Sequence, residues 1–156
     1  MQIRPLRESE VPTLVDELWT PFSRGMAEHD PYHELVDEFR EDTIEYRRER
    51  LGEEGRIDRV SVVTDKLVGY VTAEFQETPP VFAHEDTVHI NELYVRPEFR
   101  REGIGVDLLA HAESWGEDQG CGYATLNVDR WNESAQTLYR AEGFEVKRYN
   151  MRKPLD

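Results

Sequence analysis

The sequence predicts an α/β fold built on one mixed, mostly antiparallel sheet in a single layer, with helices on both faces. Three observations carry this expectation. The apolar period changes from helical to alternating near residue 59. Two alternating runs, RVSVVTD (59–65) and LVGYVTAEFQ (67–76), flank a tight turn at Asp65-Lys66, which is a hairpin signal. A strand, helix, strand succession over residues 87–128 forms a crossover unit, which makes its two strands parallel.

QIRPLR (2–7) reads as the first strand. Ser9 is placed to cap a following helix with Pro12 in its first turn, and Val11, Leu14, Val15 and Leu18 have helical spacing. TPFSRGMAEHDP (20–31) holds enough breakers to read as a loop. Residues 33–51 read as a second helix, with Leu35, Val36, Phe39, Ile44 and Tyr46 inward, Arg47-Arg48 solvated, and Gly52 and Gly55 at its end. After the hairpin, ETPPVFAHED (77–86) carries two prolines and is expected to be exposed. TVHINELYV (87–95) is a third long strand. From Gly103 to about Gly120 the chain is an amphipathic helix whose apolar face is Ile104, Leu108, Leu109, Ala112 and Trp115. CGYATLNV (121–128) is another strand, Ser134 to Glu142 a helix stopped by Gly143, and 144–152 closes with strand character. The order is β-α-α-β-β-β-α-β-α-β, expected as one domain over residues 1–156.

The composition is that of a globular chain: 156 residues, 38% hydrophobic and 33% charged. No apolar run is long enough to cross a membrane, and MQIRPLRESE has no signal-peptide core, so a cytoplasmic protein is expected. Cys121 stands alone and no Cys/His metal spacing occurs, so no metal is expected. The net charge of −14 comes from 33 acidic residues against 19 basic ones, of which only Lys66, Lys147 and Lys153 are lysines. Such a surface repels nucleic acid and anionic lipid. It suits either a cationic partner or adaptation to high salt, and the even spread of carboxylates with scarce lysine resembles proteins of salt-loving archaea.

Against that acidity, VRPEFRREGIGV (95–106) crowds arginine and glycine where a strand hands over to a helix. The first amides of a helix lack intrahelical partners and carry partial positive charge. Glycines at 103 and 105 let an anion approach the backbone, and Arg100 and Arg101 add charge-assisted contacts. The motif alone leaves two readings open: a phosphate site, or a surface loop whose glycines permit a tight turn. The lysine of a Walker loop is absent, and position 108 is Leu where a dinucleotide fingerprint needs glycine.

Arg100-x-x-Gly103-x-Gly105, preceded by Leu93-Tyr94-Val95-x-Pro97, resembles the acetyl-CoA signature of the GCN5-related N-acetyltransferase (GNAT) family. Asn132-x-x-Ala135-x-x-Leu138-Tyr139-x-x-x-Gly143-Phe144 is similar to that family's second signature. The resemblance is strong over about 57–152. It implies a GNAT-like fold in which the parallel strands 87–95 and 121–128 splay apart. Acetyl-CoA is then the co-substrate, its pantetheine arm along the backbone of Leu93, Tyr94 and Val95. Its pyrophosphate falls on the amides of Arg101 to Val106, which include Gly103, Ile104 and Gly105, and Asn132 and Tyr139 approach from the other side. Glu102 departs from the family pattern by placing a carboxylate in that loop.

The resemblance implies acetyl transfer to a primary amine by direct attack in a ternary complex. The acceptor expected is a peptide N-terminus, a lysine, a polyamine or another small amine. Glu92 is the expected general base, acting through water, with His89 as runner-up; strand alternation would put these two on opposite faces unless a bulge intervenes. Tyr139 is the expected acid toward the departing thiolate, and a backbone N–H near Val95 the expected oxyanion donor. Each has a plainer reading: Glu92 a cation anchor, Tyr139 a core aromatic, Asn132 a helix cap. Trp19, Trp115 and Trp131 are expected to pack or rim the fold, and Cys121 to be a core thiol. The alternative to an enzyme is a non-catalytic acyl-CoA sensor. A homodimer is compatible with the family.

Overall fold

The computed structural model describes all 156 residues. Five strands form one sheet in the order β1-β2-β3-β4-β5: β1 (Gln2–Pro5), β2 (Arg56–Val63), β3 (Lys66–Gln76), β4 (Thr87–Val95) and β5 (Tyr123–Leu126). Every neighbouring pair is antiparallel except β4 and β5, which are parallel, as the crossover requires. Five helices accompany them: α1 (Val11–Leu14), α2 (Thr20–His29), α3 (Arg40–Arg50), α4 (Ile104–Asp118) and α5 (Glu133–Ala141).

The helices cover both faces. On one, Leu108, Leu109 and Ala112 of α4 are fully buried against Val71 and Ala73 of β3 and Val88 and Ile90 of β4. Their spacing puts them on a single stripe, and each leucine contributes roughly 1.5–3 kcal/mol of burial. On the other face, Val11, Leu14, Val15, Leu18 and Ile44 close over Val60, Leu67 and Tyr70. A Cβ on Gly116 would stand 2.6 Å from Val88 Cγ1, so that glycine sets how closely α4 approaches β4.

Four features depart from expectation. Residues 20–29 are helix, not loop: α1 runs through a π turn (Val15–Trp19) into α2. Pro21 thus sits inside a continuous helix, and the wide turn just before it absorbs the missing N–H and relaxes the carbonyl ladder. The second helix starts at Arg40 rather than 33; a 3₁₀ turn (Pro31–His33) and an irregular stretch precede it, and Val36 (72% exposed) and Tyr46 (51%) point outward. The hairpin turn is Thr64-Asp65, one residue early, with φ of 48° and 60° held without glycine. Residues 144–152 form no strand, although alternation suggested one. The outer edge of β5 stays unpaired, and the tail is fastened instead by Arg152, 2.8 Å from Asp30 and stacked on the Tyr32 ring.

Candidate active site

The ladder between β4 and β5 runs only from Thr87–Tyr123 to Ile90–Leu126. Beyond it, Asn91 to Val95 have no partner on that side, so the two strands part. The N–H of Arg96 bonds to Val68 O on β3 at 2.8 Å. Successive amides of a strand point to opposite edges, so the N–H groups of Val95 and Leu93 face the gap. At the same end, the amides of Arg101 through Val106 have no intramolecular acceptor; the first helical bond of this turn is Asp107 N–H to Gly103 O at 3.0 Å. Gly103 makes the turn possible at φ 84°, and Arg101 shares the left-handed region at φ 65°. Six free amides at the start of a 15-residue helix form a surface of partial positive charge.

Arg100 is not free to serve it fully. Its Nε donates to Val95 O at 2.8 Å, which ties the loop to the end of β4. Arg101 and Glu102 are exposed, so the acidic side chain of Glu102 has solvent to occupy. Ile104 is buried in the core and Val106 half-buried, so they offer main-chain groups to the gap. Leu93 packs toward the α4 layer, while Tyr94 packs on the other face beside Phe22, ring centroids 5.8 Å apart. A Cβ at Gly105 would lie 3.6 Å from Leu138 and 3.8 Å from Val95, which brings α4, α5 and the end of β4 together.

On α5, Asn132 Oδ1 accepts the Ala135 N–H at 3.1 Å, the plain cap reading of that residue. Tyr139 packs edge-on to Phe144 and against the α4 core, and its hydroxyl bonds to no protein group. Burial pushes its pKa above the ordinary tyrosine value, so the phenol keeps its proton at neutral pH.

Across β4 lies a cavity of about 630 Å³ lined by β3, β4, α3 and Trp19. Between Thr72 and Ala73 the pairing skips from Glu92 to Ile90, so Asn91 is a bulge residue. The bulge brings His89 and Glu92 to the same face, against simple alternation; His89 turns toward β5 and meets Thr125 Oγ1 at 2.9 Å. Glu92 lines the cavity. Its Oε1 accepts from Arg47 Nη2, and its Oε2 accepts from Trp19 Nε1 at 3.1 Å. Arg47 is 7% exposed, which corrects the expectation that it is solvated. Its guanidinium lies 5.9 Å from the Trp19 ring and 5.6 Å from that of Tyr70. Burial works against its charge, and Glu92, with Tyr70 and Asp58 behind it, more than restores it, so its pKa lies above the usual arginine value. Arg47 escaped sequence reasoning because it was paired with Arg48; the signal was its i+3 spacing from buried Ile44.

No three His, Cys, Asp or Glu side chains gather as metal ligands, and no helix is long and apolar enough to cross a membrane. Cys121 is half-buried against the core.

The architecture matches several solved structures. The BH1408 protein from Bacillus halodurans superposes with a TM-score of 0.88 at 23% identity, over 99% of this chain and 100% of that one. An aminoglycoside N-acetyltransferase solved in complex with CoA superposes at 0.72 with 17% identity, over 99% and 93%. The chain belongs to the acetyltransferase (GNAT) family, whose profile matches residues 12–144. Among curated proteins, thialysine N-epsilon-acetyltransferase of Bos taurus is 36% identical over 56 residues. That match takes in 36% of this chain and only 33% of the relative's length.

Proposed function

We propose that residues 1–156 form one acetyl-CoA-dependent N-acetyltransferase domain that acetylates a primary amine by direct attack in a ternary complex. The observation that carries this is the row of free amides from Arg101 to Val106 opening onto the gap between β4 and β5. In this reading the amides of Arg101, Gly103, Ile104, Gly105 and Val106 receive the pyrophosphate. The β4 edge at Leu93, Tyr94 and Val95 receives the pantetheine arm, with Arg100 holding the loop. Asn132 and Tyr139 flank the gap. Glu92 takes the acceptor's proton through water, the Val95 N–H meets the developing oxyanion, and the protonated Tyr139 hydroxyl donates to the leaving thiolate.

The acceptor is a small-molecule or peptide amine. Thialysine and aminoglycoside acetyltransferases among the similar proteins support amine acceptors as a class. The carboxylate-rich surface is adapted to high salt in a cytoplasm, and the unpaired edge of β5, with Val146, Tyr149 (89%) and Met151 exposed in the tail, supports a homodimer. Light scattering at high salt giving twice the chain mass of 18.3 kDa is the expected outcome for that dimer.

The deciding experiment follows CoA release and product mass with acetyl-CoA and a panel of peptides, lysine, polyamines and aminoglycosides, at low and high KCl. Acetyl transfer to an amine is expected. Cofactor binding with no turnover across the panel points to the sensor reading, and absence of acetyl-CoA binding overturns both.

A further inference from the structure

The cavity beside Glu92 contains a charge arrangement that fold stability does not account for. Arg47 is nearly fully buried, yet its Nε and Nη1 have no hydrogen-bond partner. The Thr72 hydroxyl, which lines the same cavity, is also buried without a partner, and the buried Tyr70 hydroxyl stands against both Glu92 and Arg47. A hydrophobic pair at these positions would pack without such losses, so a half-satisfied buried ion pair is a poor stabilising device. Rules of polar satisfaction break where a side chain is needed for something else.

What the arrangement does achieve is to fix one carboxylate. Glu92 is gripped on both oxygens, by a guanidinium from α3 and by an indole at the end of the π turn. Those two elements are far apart in sequence, 45 and 73 residues from Glu92. Trp19 is itself braced by the Phe39 ring at 5.9 Å. A carboxylate can accept about four hydrogen bonds, so beyond Arg47, Trp19 and the neighbouring Tyr70 hydroxyl Glu92 keeps accepting capacity for the cavity. The other cation lining the cavity, Arg56, is engaged by Asp58 and Glu74 at 3.1 and 3.2 Å and does not compete for Glu92.

We propose that Arg47 and Trp19 are positioning residues that clamp the Glu92 carboxylate and aim its remaining accepting capacity at the water that relays the acceptor's proton in the 630 Å³ cavity. This rests on the acetyltransferase reading above. A loosened carboxylate costs acceptor use but leaves the cofactor cleft, on the far edge of β4, unaffected.

The test is steady-state kinetics of R47M, R47K, W19F and E92Q with the best acceptor, together with the 15N–1H signal of the Trp19 indole. R47M is expected to lower acceptor kcat/KM by about a hundredfold and W19F by about three- to tenfold, with the KM for acetyl-CoA unchanged. R47K recovers most of the loss. In the E92Q background, R47M changes acceptor kcat/KM by less than about twofold, because the group being positioned is gone. The indole signal moves in R47M and returns in R47K. Equal losses with and without E92Q, or a parallel rise in the KM for acetyl-CoA, overturn the clamp. If R47M fails to fold, W19F and its combination with E92Q give the same decision. If no amine is acetylated, the parent reading falls, while the indole signal in E92Q still shows whether the contact exists.

Discussion

At φ 84°, Gly103 occupies backbone space that side chains resist, yet nothing lies within 4 Å of where its Cβ would stand. The obstacle to substitution is thus conformational strain and intrusion into the gap, not a clash with the protein. G103A is expected to lower stability by about 1 kcal/mol. G103E adds a carboxylate at the proposed phosphate surface and should abolish acetyl-CoA binding by calorimetry, with a melting temperature close to that of G103A. Tyr139 makes a contrasting case. Its hydroxyl bonds to no protein group and stays protonated, so Y139F removes a proton donor and little packing. We expect cofactor affinity within about twofold of the parent and kcat reduced by about 10²-fold. Unchanged kcat would leave Tyr139 as a packing residue.

The approach of α4 to β4 makes a prediction about elements. G116A places a methyl against Val88 and should cost about 1–3 kcal/mol, read as a lower melting temperature. V88A in the same chain should recover part of that loss. At the other end of the sheet, Arg4 of β1 donates twice to Glu10, at 2.8 and 2.7 Å. This hydrogen bonding lowers the Glu10 pKa below the ordinary glutamate value. A carboxylate depressed in the fold contributes its full stability above about pH 4.3 and loses it as pH falls through the folded value. Acid unfolding of R4M should accordingly be less steep below that pH than in the parent. Strands β2, β3 and β4 were legible because alternation and a tight turn are local signals. Helix α2 was not, because Pro21 and Gly25 count as breakers only when no helix already runs into them. The tail at 144–152 alternates like a strand, but alternation does not dictate where the chain runs, and Arg152 is held at Asp30 and Tyr32 while the outer edge of β5 stays unpaired.

For the whole molecule the dominant quantity is a charge of −14. Raising KCl from 0.1 M to 1 M shortens the Debye length from about 10 Å to about 3 Å and relieves self-repulsion. The melting temperature should rise over that range; a fall would remove salt adaptation as the account of the acidity. The cofactor side of the proposed site was readable from residues 93–106, because glycine, arginine and a strand end lie together in the chain. The acceptor side was not. Glu92 could be found on its strand, but its partners come from two distant helical segments, and only the folded packing joins them.

The loop from 101 to 106 presents backbone N–H donors that every amino acid except proline carries. Alanine replacement at 104 or 106 would therefore leave the proposed phosphate donors in place. Swapping single peptide linkages for esters at 104 or 106, through chemical ligation, would delete one donor at a time while keeping each side chain.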